Sequence, residues 1–229
     1  MSFSFLLPES RAFLRGPETG DASAWEADQA VRRLRADYER WSRLLVGIVA
    51  FVAAAGGGCV AVHFIGLSVA WRVLPRGEDL VIGLVALLVA PCGVVVLVRL
   101  RRTGRVLTRA AAAWIVAPFR SGERSPSLGG WVAARTVNVE PPIFARIALA
   151  SLVSLLAVCA WSVAIVSFVS PRDLSLGFGE NAAYGAAALY LALLATFCGG
   201  GLIAGPMRLA NGLGAGDPLW VRVRSMFAR

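Results

Sequence analysis

The residues best suited to metal or redox chemistry in this chain are four cysteines, each in a different apolar stretch. They are Cys59, Cys92, Cys159 and Cys198. Counted at about 1.5 Å per residue from the predicted ends of those stretches, their depths differ by up to about 14 Å, whereas zinc needs all its sulfurs about 2.3 Å from one point. The sequence contains no Cys-x-x-Cys pair. We therefore predict ordinary buried cysteines, with no metal site and no cofactor.

The only histidine, His63, lies in the outer part of the first apolar stretch. An imidazole can bind haem iron or change charge with pH, but a second axial histidine would have to come from another subunit. We expect a hydrogen-bonded structural histidine. The triple glycines at 56–58 and 199–201 lack the lysine, serine or strand context of phosphate-binding and nucleophile motifs. The sequence therefore predicts no catalytic residue.

Four apolar stretches without any Asp, Glu, Lys or Arg carry these residues. Each has about the 20 residues that a helix needs to cross the roughly 30 Å hydrocarbon layer of a bilayer. A hydrophobic content of 57% is also too high for an ordinary soluble domain. The sequence predicts an all-α, polytopic membrane protein: a four-helix transmembrane bundle with cytoplasmic amphipathic helices. The charge-free stretches lie between Arg43 and Arg72, Asp79 and Arg99, Arg146 and Arg172, and Glu180 and Arg208.

The arginines predict the orientation of these spans. All 23 basic residues are arginines, and 20 of them lie before the first stretch, between the second and third, or after the fourth. Because basic segments stay on the cytoplasmic side, both termini and the central link are predicted to be cytoplasmic. We expect a multi-pass protein of a bacterial inner (plasma) membrane.

This orientation divides the chain into five predicted segments. They are a cytoplasmic N-terminal amphipathic segment at 1–43, transmembrane helices 1 and 2 at 44–98, a cytoplasmic basic link with an interfacial helix at 99–146, transmembrane helices 3 and 4 at 147–205, and a cytoplasmic basic tail at 206–229.

An amphipathic helix is predicted at 23–41. Ser23 and Glu26 form a capping box, and neither Gly nor Pro separates the helix from the first span, so we expect one long helix. The apolar face can lie on lipid headgroups, dock on the other cytoplasmic segments, or form a coiled-coil seam with a partner. The residues on that face recur every four or three positions along the sequence and are Ala27, Val31, Leu34, Tyr38 and Trp41.

The central link and the tail contain shorter predicted elements. Basic residues from Arg99 followed by an apolar run around Trp114 are typical of an interfacial helix. An exposed loop is predicted at 121–130, and Pro141 ends any helix before the third span. Pro206 and several glycines predict an irregular tail that closes with a short interfacial segment around Trp220.

Small residues within the spans predict where the helices pack. Apolar side chains gain little by leaving lipid for one another, so membrane helices associate through close contact at small residues. The predicted packing positions are Ala53, Ala54, Gly57, Gly58, Ser151, Ser154, Gly201 and Gly205.

A second set of residues is predicted to face lipid or a partner. The net charge of +9 lies beside the apolar stretches rather than in a separate basic domain, so we expect anionic headgroups and a protein partner or homo-oligomer, with no nucleic acid. These surface positions are Arg32, Arg33, Leu34, Tyr38, Trp41, Arg101, Arg102, Arg105, Trp114 and Trp220.

The function predicted from these features is that of a non-enzymatic structural, assembly or accessory subunit. It packs through small-residue helix faces and presents Arg-rich segments to lipid and proteins. Two alternatives remain open: an oligomeric pore or passive transporter, and a membrane enzyme acting on a lipid. Spans without acids or bases argue against proton-driven transport.

Overall fold

Helices make up the fold. The computed structural model describes residues 5–17, 23–71, 77–169 and 178–227. No strand occurs within these ranges, so the predicted helical class is confirmed. Two 3₁₀ turns, Val137–Val139 and Gly214–Gly216, connect some of the helices. The helices are α1 (Pro8–Arg11), α2 (Ala24–Glu39), α3 (Trp41–Trp71), α4 (Gly77–Arg120), α5 (Leu128–Thr136), α6 (Pro141–Val169), α7 (Phe178–Leu213) and α8 (Pro218–Phe227).

Within the described ranges, four helical stretches are long and apolar enough to cross a membrane, which confirms the predicted number and indicates a multi-pass membrane protein. Many of their large apolar side chains point outward. Val49 on α3 is 68% exposed and Leu88 on α4 is 62% exposed. Outward apolar surfaces of this extent fit a lipid environment. The stretches are Ala24–Ser68, Gly77–Arg120, Pro141–Val169 and Asn181–Gly216.

The expected continuous helix from the N-terminal segment into the first span is wrong. Helix α2 ends at Glu39, and Arg40 adopts φ −52° and ψ 128°, which is not helical. Helix α3 then begins at Trp41. The break frees backbone carbonyls that Arg146 binds: its Nη2 donates to the carbonyl oxygen of Tyr38 at 2.7 Å and to that of Arg40 at 3.4 Å.

Two other helices are longer than expected. The segment after Arg99 is the second half of α4, which runs unbroken for 44 residues. Pro206 lies inside α7, so the chain stays helical to Leu213. By contrast, the preceding helical segment ends before Pro141, as predicted, and α6 begins at Pro141 itself rather than at 147. A proline at the first position of a helix lacks only a hydrogen bond that the first turn does not use.

The chain divides into two compact units. The first unit comprises Met1–Leu44, Arg99–Ala148 and Leu202–Arg229. The second unit comprises Leu45–Val98 and Leu149–Gly201, which are the apolar sections of the four long helices.

Close contacts between small residues hold α3 against α4 in the second unit. A Cβ added at Gly93 of α4 would lie 2.7 Å from the carbonyl oxygen of Ala50 and 3.0 Å from the Cβ of Ala54. One added at Gly57 of α3 would lie 3.0 Å from the carbonyl oxygen of Ala86 and 3.4 Å from the Cβ of Ala90. The two backbones therefore approach too closely for larger side chains at these positions.

The remaining predicted packing residues lie in varied surroundings. Gly58 contacts the ring of Tyr190, whose hydroxyl donates to the carbonyl oxygen of Ala54 at 2.9 Å. The Oγ of Ser154 would lie 2.9 Å from a Cβ added at Gly199 of α7. Ala53 and Gly201 are half-buried, Ser151 is exposed, and Gly205 belongs to the first unit.

Replacing Gly93 by leucine is expected to destabilise the second unit by about 1–3 kcal/mol, because the side chain would force the α3 and α4 backbones apart. The measurement is unfolding by SDS titration in mixed micelles. Gly83→Leu on the same helix is the matched control, since a Cβ there meets nothing within 4 Å. Equal stability of the two variants would contradict the contact.

Candidate functional site

The apolar face of α2 is buried inside the first unit. Leu34 and Tyr38 pack with Leu107 and Trp114 of α4 and with Leu209 of α7. Of the arrangements considered for α2, docking on other segments of the chain is the one observed. The buried apolar side chains of α2 therefore pack against neighbouring helices of the same chain and not against a partner protein.

Tyr38 lies where four helices of the first unit meet. The Arg146 guanidinium of α6 stands 4.8 Å from the centre of its ring. The ring also lies beside Gly104 of α4, where an added Cβ would be 3.7 Å away, and its hydroxyl contacts Gly205 of α7. A side chain at Gly205 would displace the tyrosine.

Two arginines near the beginnings of α3 and α6 donate to backbone carbonyl oxygens; Arg146 is buried and Arg43 is half-buried. Arg146 is 4% exposed, and its Nη1 donates to the carbonyl oxygen of Pro142 at 2.7 Å, in addition to the bonds at the α2–α3 break. Arg43 of α3 donates through Nη1 to the carbonyl oxygen of Phe5 at 3.0 Å. Its Nη2 donates to the carbonyl oxygen of Leu100 at 3.1 Å and to Thr103 Oγ1 at 2.6 Å. Both guanidinium groups therefore act as structural ties.

Four other arginines form a concentrated positive surface on α4 and α7. Arg101, Arg105 and Arg109 follow one another at steps of four, which places them on one face of α4. Arg208 of α7 lies between Gly205, which contacts Tyr38 beside Gly104 of α4, and Gly212, which lies against Ala112 of α4. Like charges at this spacing destabilise a helix by about 0.2–0.5 kcal/mol per pair. We call these four residues the arginine cluster.

The described carboxylates that form ion pairs pair with other arginines. None of these pairs involves Arg105, Arg109 or Arg208. The pairs are Arg33–Glu9, Arg35–Glu39, Arg35–Glu140, Arg40–Asp37, Arg124–Asp28 and Arg135–Asp217.

A second surface is formed by α5 and α8, which contact each other. Gly130 of α5 lies directly on the backbone of Gly216, and Arg135 Nη1 lies 2.7 Å from Asp217 Oδ2. Burial would raise the pKa of Asp217, but hydrogen bonds from Arg135 and from the backbone amide of Leu219, at 2.9 Å, outweigh it and lower the pKa. Asp217 thus caps α8 and ties it to α5.

A cleft of about 590 Å³ lies between α2, the end of α4 and α5. Trp114 and Phe119 line its apolar side. On its polar side, Arg124 forms a bidentate ion pair with Asp28, and the Glu123 carboxylate accepts a hydrogen bond from the backbone amide of Ala24. Each of these charged groups at the cleft therefore has a partner within the chain.

The candidate metal and haem residues do not gather into a centre. Within the described ranges, no group of three or more His, Cys, Asp and Glu side chains could hold a metal ion. The ring of His63 lies 4.6 Å from that of Tyr184. The prediction of buried cysteines is wrong: Cys59 and Cys198 are half-buried, and Cys92 and Cys159 are exposed.

The predicted surface residues divide by exposure. Leu34, Tyr38 and Trp114 are buried and Arg101 is half-buried. The remainder are exposed: Arg32, Arg33, Trp41, Arg102, Arg105 and Trp220.

Sequence reasoning did not single out Arg109, Arg208 or the apolar face of α5. The step of four from Arg105 could have indicated Arg109, whereas Arg208 joins the cluster only through the packing of α7. Compared with protein-family models, with curated proteins and with solved structures, the chain matches none of them.

Arg146→Met is expected to destabilise the first unit by about 2–3 kcal/mol, because charged donors to three backbone carbonyls are removed. Urea unfolding in detergent, followed by tryptophan fluorescence, measures the loss. Arg32→Met, at an exposed position on α2, is the control and should change the stability by less than about 0.5 kcal/mol. Similar losses in the two variants would show that the buried hydrogen bonds are dispensable.

Proposed function

We propose that this protein is a non-enzymatic structural or accessory subunit of the bacterial plasma membrane. Its four spans anchor the first unit at the cytoplasmic face, where α5 and α8 bind one protein partner and arginines contact anionic lipid. The observation that carries this proposal is the outward-facing apolar surface of α5.

Helix α5 presents its large side chains to the outside. Leu128, Trp131 and Val132 share one face by their spacing and are 80%, 36% and 46% exposed. The Arg135 guanidinium extends this face and lies 4.5 Å from the centre of the Trp131 ring. No residue of α5 is buried. A folded unit that keeps an apolar face in contact with water has a docking surface there.

The position of α5 favours a protein over lipid as the occupant. Gly130 of α5 lies on Gly216, which in turn contacts the ring of Phe119. Phe119 follows Val98, the last residue of the apolar run in α4, by 21 residues, or about 32 Å of helix axis. This distance is several times the thickness of the headgroup layer.

Charge favours an acidic partner over a second copy of this chain. Residues 128–139 and 218–229 contain four arginines and neither Asp nor Glu. Two copies would bring these basic segments together. An amphipathic helix with Asp or Glu at the borders of its apolar face complements the surface. Because one docked helix buries less than about 1,200 Å², we expect a dissociation constant in the micromolar range.

Photocrosslinking in native membranes tests the docking surface. A photoreactive amino acid at Leu128 or Val132 is expected to crosslink to the same helical segment of one protein, mapped at both ends by tandem mass spectrometry. That segment should have an apolar face bordered by acidic residues. Trp131→Ser should reduce the crosslink yield about tenfold or more, because one large apolar contact is lost.

The matched control carries the photoreactive group at Ser121, an exposed residue of the loop before α5. Crosslinks from both α5 positions to lipid, to another copy of this chain, or to nothing would refute the proposal. Equal yields of the same product from Ser121 would do so as well.

A further inference from the structure

Residues 5–16, which we call the N-terminal segment, belong to the first unit and contain the single turn of α1. Side chains of two helices bind the backbone of the segment near one end. Asp37 of α2 accepts a hydrogen bond from the backbone amide of Leu7 at 2.9 Å. Arg43 of α3 donates to the carbonyl oxygen of Phe5 at 3.0 Å. Hydrogen bonds of this kind do not depend on which side chains the segment carries.

The other end of the segment is held by α4. Trp114 Nε1 donates to the carbonyl oxygen of Phe13 at 2.9 Å, and the two rings meet edge to face with their centres 6.1 Å apart. The side chains of Leu6, Phe13 and Leu14 pack against the buried apolar residues of the first unit. The segment is therefore anchored by backbone hydrogen bonds and by two apolar side chains, Leu6 and Phe13, seven residues apart.

Asp37, Arg43 and Trp114 line a surface that we call the groove. Two of these side chains are also held by contacts with the rest of the unit. Arg43 donates to Thr103 Oγ1 as well as to the segment, and Trp114 packs with Leu107 in the buried cluster. Because these contacts do not involve the segment, we expect the groove to keep its shape when the segment leaves.

The fit between the segment and the groove leaves two buried polar atoms without a hydrogen bond. Ser10 of the segment is 1% exposed, and its Oγ has no hydrogen-bond partner in the described part of the chain. Asp37 of the groove is fully buried, and its Oδ1 lies 3.9 Å from Arg40 Nη1 and accepts no hydrogen bond from any described residue. A buried polar atom without a partner keeps the cost of leaving water. The contact is therefore weakened on both sides, which favours a segment that dissociates.

We infer that the groove is a binding site for a short peptide and that the N-terminal segment is its exchangeable intramolecular ligand. The contacts define the ligand as a peptide bound through its backbone and through two apolar side chains seven residues apart. Tethering keeps the segment at an effective concentration on the order of millimolar. The segment thus acts as a built-in competitor that closes the groove in the intact chain. This inference is independent of the partner proposed for α5 and α8.

Peptide exchange in the full chain tests the groove. A site for a specific protease is inserted between residues 20 and 21, and the released segment is removed by gel filtration in detergent after cleavage. A fluorescent synthetic peptide of residues 1–17 is expected to bind the cleaved protein with a dissociation constant on the order of 10 μM, measured by fluorescence anisotropy. The uncleaved protein in the same detergent is the control and should bind the peptide at least about tenfold more weakly, because the tethered segment competes.

Changes in the peptide separate its anchors from its other side chains. Phe13→Ser should weaken binding about tenfold or more, because one large apolar contact is lost. Ser10→Ala should strengthen binding about threefold or more, because it removes a buried hydroxyl that makes no hydrogen bond. The matched control combines Arg11→Gln and Arg15→Gln at exposed positions and should change the affinity less than about twofold. Equal affinities of the Phe13→Ser peptide and the control would contradict the anchored binding.

Three results of the exchange experiment would overturn the inference. Equal binding to cleaved and uncleaved protein would indicate uptake of the peptide by detergent or binding elsewhere on the protein. Binding to neither form would show that the segment is a fixed part of the core. Loss of the native tryptophan fluorescence once the released segment is removed would show that the groove does not persist without it. Crosslinking from α5 tests the proposed partner separately, so either hypothesis can fail alone.

Discussion

The first unit depends on two arginines that donate to backbone carbonyl oxygens of other segments of the chain. The buried Arg146 and the half-buried Arg43 donate to carbonyl oxygens rather than to carboxylates. A buried cation of this kind is tolerated because several of its donors are used. The two arginines therefore connect the α2–α3 break to α6, and α3 to α4 and to the backbone at Phe5.

The same packing device recurs in both units: a tyrosine lies on a helix at a glycine. Tyr38 contacts Gly205 in the first unit, and Tyr190 contacts Gly58 in the second. A large ring fills the space that the missing side chain leaves, and its polar end remains available for a backbone group, as Tyr190 shows with the carbonyl oxygen of Ala54. Small residues therefore either allow two helix backbones to come into direct contact or leave room beside the helix for one aromatic ring.

The sequence predicts the long helices because the length of an apolar run without charged residues can be read from neighbouring residues alone. The boundary at Pro141, where α6 starts, can be read in the same way because it depends on the proline itself. At the break, the Arg40 carbonyl oxygen accepts from Arg146, more than 100 residues away, and no local pattern in the sequence indicates the break. The candidate sites divide in the same way. Arg105 was predicted as a surface residue because it lies beside an apolar stretch of the sequence. Arg208 comes near Arg105 only through the packing of α7 on α4. The spacing of apolar residues in α5 did not reveal that Leu128 faces outward.

The placement of the three tyrosines makes them natural spectroscopic probes. Tyr38 belongs to the first unit, whereas Tyr184 and Tyr190 belong to the second. Incorporation of fluorotyrosine would give one ¹⁹F resonance at the junction of α2, α4, α6 and α7, one beside His63 and one at the contact with α3. Local rearrangement in either unit would then be visible without any substitution at another position of the chain.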